Sequence, residues 1–402
     1  MIKIKSFEAG KGDAFLLSFG ENEDENIMID MGMPSTYTQC NNNENPNTIC
    51  IKDELLKLSK KGKNLNLLVV THMHEDHIGG VLEFIKENGA EHKIIKVDEV
   101  WHNSYRHFHF EKKDLEDDSN TIRTMKNIIL QKAPKNINGL NGITAKQGSS
   151  LAGNLFRYKY NWNTYFNDKA IVVDTDIPIR IGENIKIILL SPNKQKLDIL
   201  KKEWLKELRG RKLVFTNNPI FDDAFEFYLR YEYKNDFKIM KISSNSRIDF
   251  EKLSDDGIPK DTSKTNGSSI AFIIEYKDKK LLFLSDAHED IIYEHLNILK
   301  KSGYKLDFDL VKISHHAGEN NTSKRLLNLI ETKKFLISTN GTSAKHPHLS
   351  VISKIITKKT DYDRKILFNY DVPILKKLNK YKTVLKEKYK VKLKVEREIV
   401  LC

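Results

Sequence analysis

Along its first hundred residues the chain alternates short apolar runs with polar breaks. IKIKSF, DAFLLSF and NIMIDMG mix β-branched and large apolar residues between Gly- and Asn-rich stretches, which predicts three strands. Leu55, Leu56 and Leu58 among lysines predict a helix over Ile51–Lys61. The apolar run from Leu65 to Val70 has the length of a buried strand, and it leads directly into THMHEDHIGG. Val81–Ile85 then reads as a helix closing at Gly89, and Ile94–Trp101 as a further strand.

The pattern loosens over about 104–180, where a helix is expected after Ser119 and the stretch LFRYKYNWNTYF is dense in aromatics; this reads as an insertion. A strand over Ile185–Leu190 ends in Ser191-Pro192, and Lys194–Leu208 reads as a helix. A second insertion is expected at about 209–264. The first pattern then returns: strands Ser269–Tyr276 and Leu281–Ser285, a helix over Asp290–Lys301, and a strand Phe308–Ser314 ending in His315-His316. Two similar halves with His and Asp at strand ends predict an α/β fold, an αββα sandwich with one site at its rim. The expected domain covers 1–350, with 351–402 packed on it.

Composition sharpens this picture. With 39% hydrophobic and 30% charged residues the chain can build a real core. No run of about 18 apolar residues occurs and the N-terminus lacks a leader pattern, so a cytoplasmic protein without membrane insertion is expected. Cys40, Cys50 and Cys402 are too few and too irregular for a disulfide framework or a thiolate zinc site, and Cys40 and Cys50, which flank an Asn-rich loop, are expected as free thiols. The net charge of +12 is uneven: residues 351–402 hold 15 Lys/Arg against 6 Asp/Glu. Such asymmetry fits either a polyanionic partner such as nucleic acid or a lysine-rich solvated surface. In YKVKLKVEREIV, alternation predicts a strand with Lys388, Lys390, Lys392 and Lys394 along one solvent face.

The candidate chemistry lies in His72-Met73-His74-Glu75-Asp76-His77, three imidazoles and two carboxylates in six residues at a strand end. Imidazole and carboxylate are the ligands of Zn²⁺ and suit Mn²⁺ and Fe²⁺. His72 and His74 would serve one ion while Asp76 and His77 turn toward a second. Gly79-Gly80 would let the following backbone pass close by.

This order, HxHxDH, resembles the signature of the metallo-β-lactamase superfamily. The resemblance implies a metallo-β-lactamase fold with two divalent ions, an aspartate bridging them at Asp286 of FLSDA, and a last histidine at His315. Within the superfamily the segments GKGDAFLL, IMIDMG, LLSP, NGSSI, LSDA, KISHHAG and KHPH look most similar to the hydrolase domain of ComEC-type DNA-uptake proteins and its free-standing relatives. They run from residue 10 to about 350 and leave out the insertions and the basic segment. One departure is that the strand where many members supply a third histidine of the first ion ends here in Leu190-Ser191-Pro192. His102 is a possible substitute, although an isolated histidine at a strand end more often finds a backbone partner.

Asp13 and Asp30 are expected to orient ligands rather than bind metal. His316 could touch substrate, although the neighbour of a ligand on a strand points to the opposite face by default. His346 and His348 are candidate substrate contacts on a loop, and His288 reads as structural. The expected metal ligands are therefore His72, His74, Asp76, His77, Asp286 and His315, holding two Zn²⁺ or Mn²⁺. Asp76 would orient the nucleophile, and His315 or His346 would donate to the scissile group or leaving oxygen. The aromatic run could stack single-stranded nucleic acid or serve as core. A phosphodiesterase or nuclease is expected first. The alternatives are a small-molecule hydrolase acting on a lactone, thioester or cyclic nucleotide, and a non-catalytic metal-binding module.

Overall fold

The structure, a computed structural model, describes residues 1–38, 49–108, 119–132, 150–173, 178–208, 219–230, 248–255, 260–342 and 346–402. Among these, the strands in chain order are β1 (Ile2–Ser6), β2 (Ala14–Phe19), β3 (Glu25–Met31), β4 (Leu67–Val69), β5 (Val100–Trp101), β6 (Ile179–Ile181), β7 (Ile185–Ser191) and β8 (Ala271–Tyr276). They continue with β9 (Lys279–Phe283), β10 (Asp307–Phe308), β11 (Leu310–Lys312), β12 (Glu331–Thr332), β13 (Lys334–Ile337), β14 (Arg364–Phe368), β15 (Val391–Val395) and β16 (Glu398–Leu401). One sheet runs β16-β1-β2-β3-β4-β5, the other β15-β14-β13-β11-β9-β8-β7-β6, and β10 pairs with β12.

Side-chain alternation places both sheets. Along β2, Phe15, Leu17 and Phe19 enter the layer between the sheets, against Phe272, Ile274 and Phe283 of the second sheet. Leu16, between them, turns to the outer layer with Met28 and Leu68, where Leu55, Val81 and Ile85 of the helices Ile51–Lys60 and Glu75–Asn88 cover it. The second sheet does the same, with Leu282, Val311 and Phe335 under Ile292, Leu296, Ile352 and Ile355. This is the αββα sandwich.

The parallel strands set the site. β9, β11, β13, β14 and β15 are mutually parallel, so the segments after them emerge at one edge. There they meet the segment that follows β4.

The C-terminal basic segment is woven into the sandwich. β14 and β15 extend the second sheet, and β16 pairs antiparallel with β1, Ile2 opposite Leu401. The expected row of four lysines is shorter than its alternation suggested. Lys392 and Lys394 point outward from β15, but Lys388 closes the helix Lys382–Glu387 and Lys390 has a left-handed φ of 55° that precedes the strand.

One further expectation changes. Cys50 is disulfide-bonded, its partner lying outside the described residues, while Cys402 is free and exposed. Cys50 sits at the start of the helix Ile51–Lys60, where its sulfur accepts from the Asp53 amide at 3.5 Å. Cys40 lies outside the described residues. The aromatic run divides between core and surface: it opens in the helix Leu151–Arg157, Tyr160 and Trp162 are buried in the core, and Phe156 and Tyr165 are exposed. No helix is long and apolar enough to cross a membrane, among the described residues.

The two insertions share one satellite core. Tyr105, Met125 and Ile129 pack with Leu200, Trp204, Phe221 and Phe225, and Met73 of the histidine motif belongs to the same cluster. The helix Pro219–Arg230 anchors it through buried acids. Asp222 accepts from Ser104 and Arg106, Asp223 from the Ser150 amide, and Glu226 from the amides of Leu151 and Ala152. Arg230, from the same helix, pairs with Glu75 at the start of the motif helix.

Candidate metal centre

The segment after β4 is fixed before its imidazoles are placed. The Asp30 carboxylate, at a left-handed φ of 51° near the end of β3, accepts from the Thr71 amide at 2.8 Å and from its hydroxyl at 2.6 Å. Gly12 allows the close approach that completes this rim: a Cβ there would lie 1.6 Å from the Asp76 carbonyl oxygen. Gly79 and Gly80 serve the same purpose against Pro34 and the Met31 carbonyl.

Four histidines then share one orientation. His72 Nδ1 lies 3.1 Å from the Thr71 hydroxyl, whose own proton goes to Asp30, so the ring donates. His77 Nδ1 donates to Asp30 at 2.8 Å, His315 Nδ1 to the Asn321 side-chain oxygen at 2.8 Å, and His316 Nδ1 to the Ser338 carbonyl at 2.9 Å. Each engaged Nδ1 leaves Nε2 turned inward. The Nε2 atoms of His72, His77 and His315 lie 3.7, 3.5 and 3.7 Å from Asp286 Oδ2, and that of His316 lies 3.7 Å from Asp286 Oδ1. His74 joins through Nδ1, 3.0 Å from His72 Nε2. Asp76 groups with His77 and His316, all buried and with ligand atoms within 4.8 Å of one another.

These residues fit divalent cations. Nε2 of His77 and of His316 and Oδ1 of Asp286 are buried without a hydrogen-bond partner, which is costly unless something positive sits among them. Outer groups fixing Nδ1 and freeing Nε2 are the usual support of a metal-binding imidazole.

The electrostatics point the same way. Burial resists charge on His77, yet Asp286 and Asp30 hold its pKa well above the ordinary value. Against the effect of desolvation, the partly buried His315 is held at about 9 by Asp286 and Asp261. Burial favours the neutral form of Asp286, but His316, His315 and His77 keep it well below the carboxylate range. His72 and His346 are pushed well below the imidazole range, first by burial and then by neighbouring histidines.

Of the residues expected at the site, His72, His74, Asp76, His77, Asp286 and His315 come together, and His316 joins them against expectation. β11 ends at Lys312, and His315, His316 and Ala317 have φ of 47°, 54° and 63°, so strand alternation no longer applies and both rings face Asp286. Asp30 and Asp13 stand behind His77 and His316, the latter at 3.4 Å. His346 is a neighbour of the site, its ring 4.8 Å from that of His315, while His348 pairs with Glu319 at 2.9 Å. His102 lies outside every ligand grouping found among the described residues; its ring stacks on Trp162, and burial pushes its pKa down to about 3. His288 touches Lys196 and the Ser263 carbonyl. Sequence reasoning missed Thr71, Asp261, Asn321, Ser338 and Lys312. Only Lys312, a lysine inside an apolar strand, left a readable signal.

Residues 8–146 match the family model of the metallo-beta-lactamase superfamily, and the sandwich with its rim site is the metallo-β-lactamase fold. A search of curated proteins finds no match. Among solved structures, CmlA, a diiron beta-hydroxylase from Streptomyces venezuelae, is similar at 10% identity and a TM-score of 0.42, over 99% of this chain and 54% of that one. The chain thus spans about half the length of CmlA. The metallo-beta-lactamase fold protein YhfI from Bacillus subtilis is similar at 9% identity and a TM-score of 0.36, with each chain covered in full at 100%. A protein of unknown function from Enterococcus faecalis V583 follows at 10% identity and a TM-score of 0.25, over 98% of this chain and 87% of that one.

Proposed function

We propose that the protein is a metal-dependent hydrolase that cleaves phosphodiesters of nucleic acid. The observation carrying the metal reading is the inward turn of four Nε2 atoms onto the two oxygens of Asp286. In this reading His72, His74 and His315 would hold one ion, Asp76, His77 and His316 the other, and Asp286 would serve both. Two Zn²⁺ or Mn²⁺ ions there would supply Lewis acidity and a nucleophile at neutral pH.

The chain's own residues do the rest. Asp76 orients the attacking water, and the Nδ1 donations fix which nitrogen of each ring faces the reaction. His346, whose pKa burial and its histidine neighbours depress, would donate a hydrogen bond to the leaving oxygen.

The nucleic-acid part rests on the ComEC-like segments and on the charge of residues 351–402. Lys392 and Lys394 on β15 are 54% and 57% exposed; the partner of the first, Asp363, is exposed and that of the second, Glu396, partly so, and a phosphate backbone can displace both. The test is cleavage and binding of single- and double-stranded DNA and RNA with Mn²⁺ or Zn²⁺, over a range of salt. Lys392→Glu with Lys394→Glu should weaken binding and lower the salt slope by about two, while hydrolysis of a small chromogenic phosphodiester stays unchanged. Affinity independent of both salt and these lysines would shift the assignment to a small-molecule ester, lactone or cyclic nucleotide.

A further inference from the structure

Lys312 is a lysine with no exposed surface, placed at the end of β11 three residues before His315. Its ammonium donates to Asp13 Oδ2 and reaches the Ser285 carbonyl at 3.5 Å, directly before Asp286. Asp13 is itself buried, and its other oxygen lies 3.4 Å from His316 Nδ1. The same carboxylate falls within ligand-grouping distance of Asp286 with His316, and of Asp30 with His77.

We propose that Lys312 is a positioning residue for the half of the site formed by Asp76, His77 and His316. Its fixed charge holds the Asp13 carboxylate behind His316, and the pair together keeps that ring's Nε2 facing Asp286. A buried ammonium is costly unless paired, so a structure that keeps one beside a candidate ligand has a use for the charge at that point. Lysine suits the role because its compact charge sits on a stem long enough to reach across from the strand. The inference rests on the metal reading above and adds a residue that touches neither ion nor substrate.

The test is calorimetric titration of the chelator-treated full chain with Mn²⁺, comparing wild type, Lys312→Met and the double variant Asp13→Asn with Lys312→Met. Wild type should bind in two resolvable steps. Lys312→Met should weaken one step by about 10–100-fold, the usual effect of losing an outer partner of a ligand, and leave the other within about twofold. Lys312→Met leaves Asp13 buried and unpaired, so its melting temperature should fall, and the double variant, lacking that charge, should recover it. The double variant should not recover the weakened step. Recovery of both would show that the pair is only structural and would overturn the proposal, as would two unchanged steps in Lys312→Met. A wild-type chain that binds no Mn²⁺ would overturn the metal reading itself and this inference with it.

Discussion

Oδ1 of Asp286 and Nε2 of His316 face each other across 3.7 Å, both buried and both without a hydrogen-bond partner. On the other side of the carboxylate, His315 Nε2 stands 3.7 Å from Oδ2. Adjacent residues thus address opposite oxygens of one aspartate. The expected consequence is that His315→Ala and His316→Ala each remove one of two bound ions. Bound metal counted per chain after equilibrium dialysis checks this. A His316→Ala chain that keeps both ions would return the site to the sequence reading, with His315 as the only ligand from this turn.

Gly12 sets how closely the first loop approaches the motif. A Cβ 1.6 Å from the Asp76 carbonyl oxygen meets backbone, which cannot swing aside as a flexible side chain can. Gly12→Ala should cost about 1–3 kcal/mol, as overpacking usually does, and should impair turnover further by moving Asp76. Urea denaturation alongside hydrolysis tests the pair of effects. A variant with unchanged stability would mean that the loop relaxes without cost.

Arg230 connects the insertion core to the motif helix through Glu75, and both side chains are largely buried. Arg230→Met leaves Glu75 and Glu226 without their cation, so a loss of about 3–5 kcal/mol is expected. Because the same helix carries Asp222, Asp223 and Glu226, proteolysis should reach the insertion before the sandwich. Uniform cleavage across the chain would argue against a separately anchored insertion core.

Glu226 gives the stability a pH dependence away from the candidate metal centre. Burial raises its pKa from 4.5 to about 7, against the lowering effects of Arg230 and the Leu151 and Ala152 amides. The folded state therefore binds this proton more tightly than the unfolded chain. Its stabilising contribution is fully present below about 4.5 and is lost as pH rises through about 7, a change of about 3 kcal/mol. Glu226→Gln, which keeps an oxygen for the two amides, should flatten that part of the profile. Unfolding free energies from pH 4.5 to 8 measure it, and equal slopes in variant and wild type would contradict the assignment.

How far the sequence could be read depends on the range of each interaction. The sandwich and the His72–His77 cluster were legible because strand alternation and ligand spacing are local. Asp286 followed from its place at a strand end and from resemblance. His316 was misread because β11 stops at Lys312 and the chain turns left-handed, a change that nothing in KISHHAG announces. The pairing of β16 with β1 joins residues nearly 400 positions apart. The acids of Pro219–Arg230 reveal their purpose only once folding brings distant amides to them. Cys50 was read as free because its spacing from Cys40 matches no established framework.

If these histidines and carboxylates form a metal-dependent hydrolytic centre, activity and bound metal must rise and fall together. Phosphodiester hydrolysis and bound metal are measured on the same samples of wild type and Asp286→Asn, after chelation and again after Mn²⁺ is restored. Wild type should lose activity with its metal and regain both at two ions per chain. Asp286→Asn should stay folded by circular dichroism yet bind fewer ions, with activity reduced beyond the roughly 10–100-fold that an outer partner costs. Hydrolysis that survives chelation, or an Asp286→Asn chain as active and as metal-loaded as wild type, would contradict a metal-dependent centre.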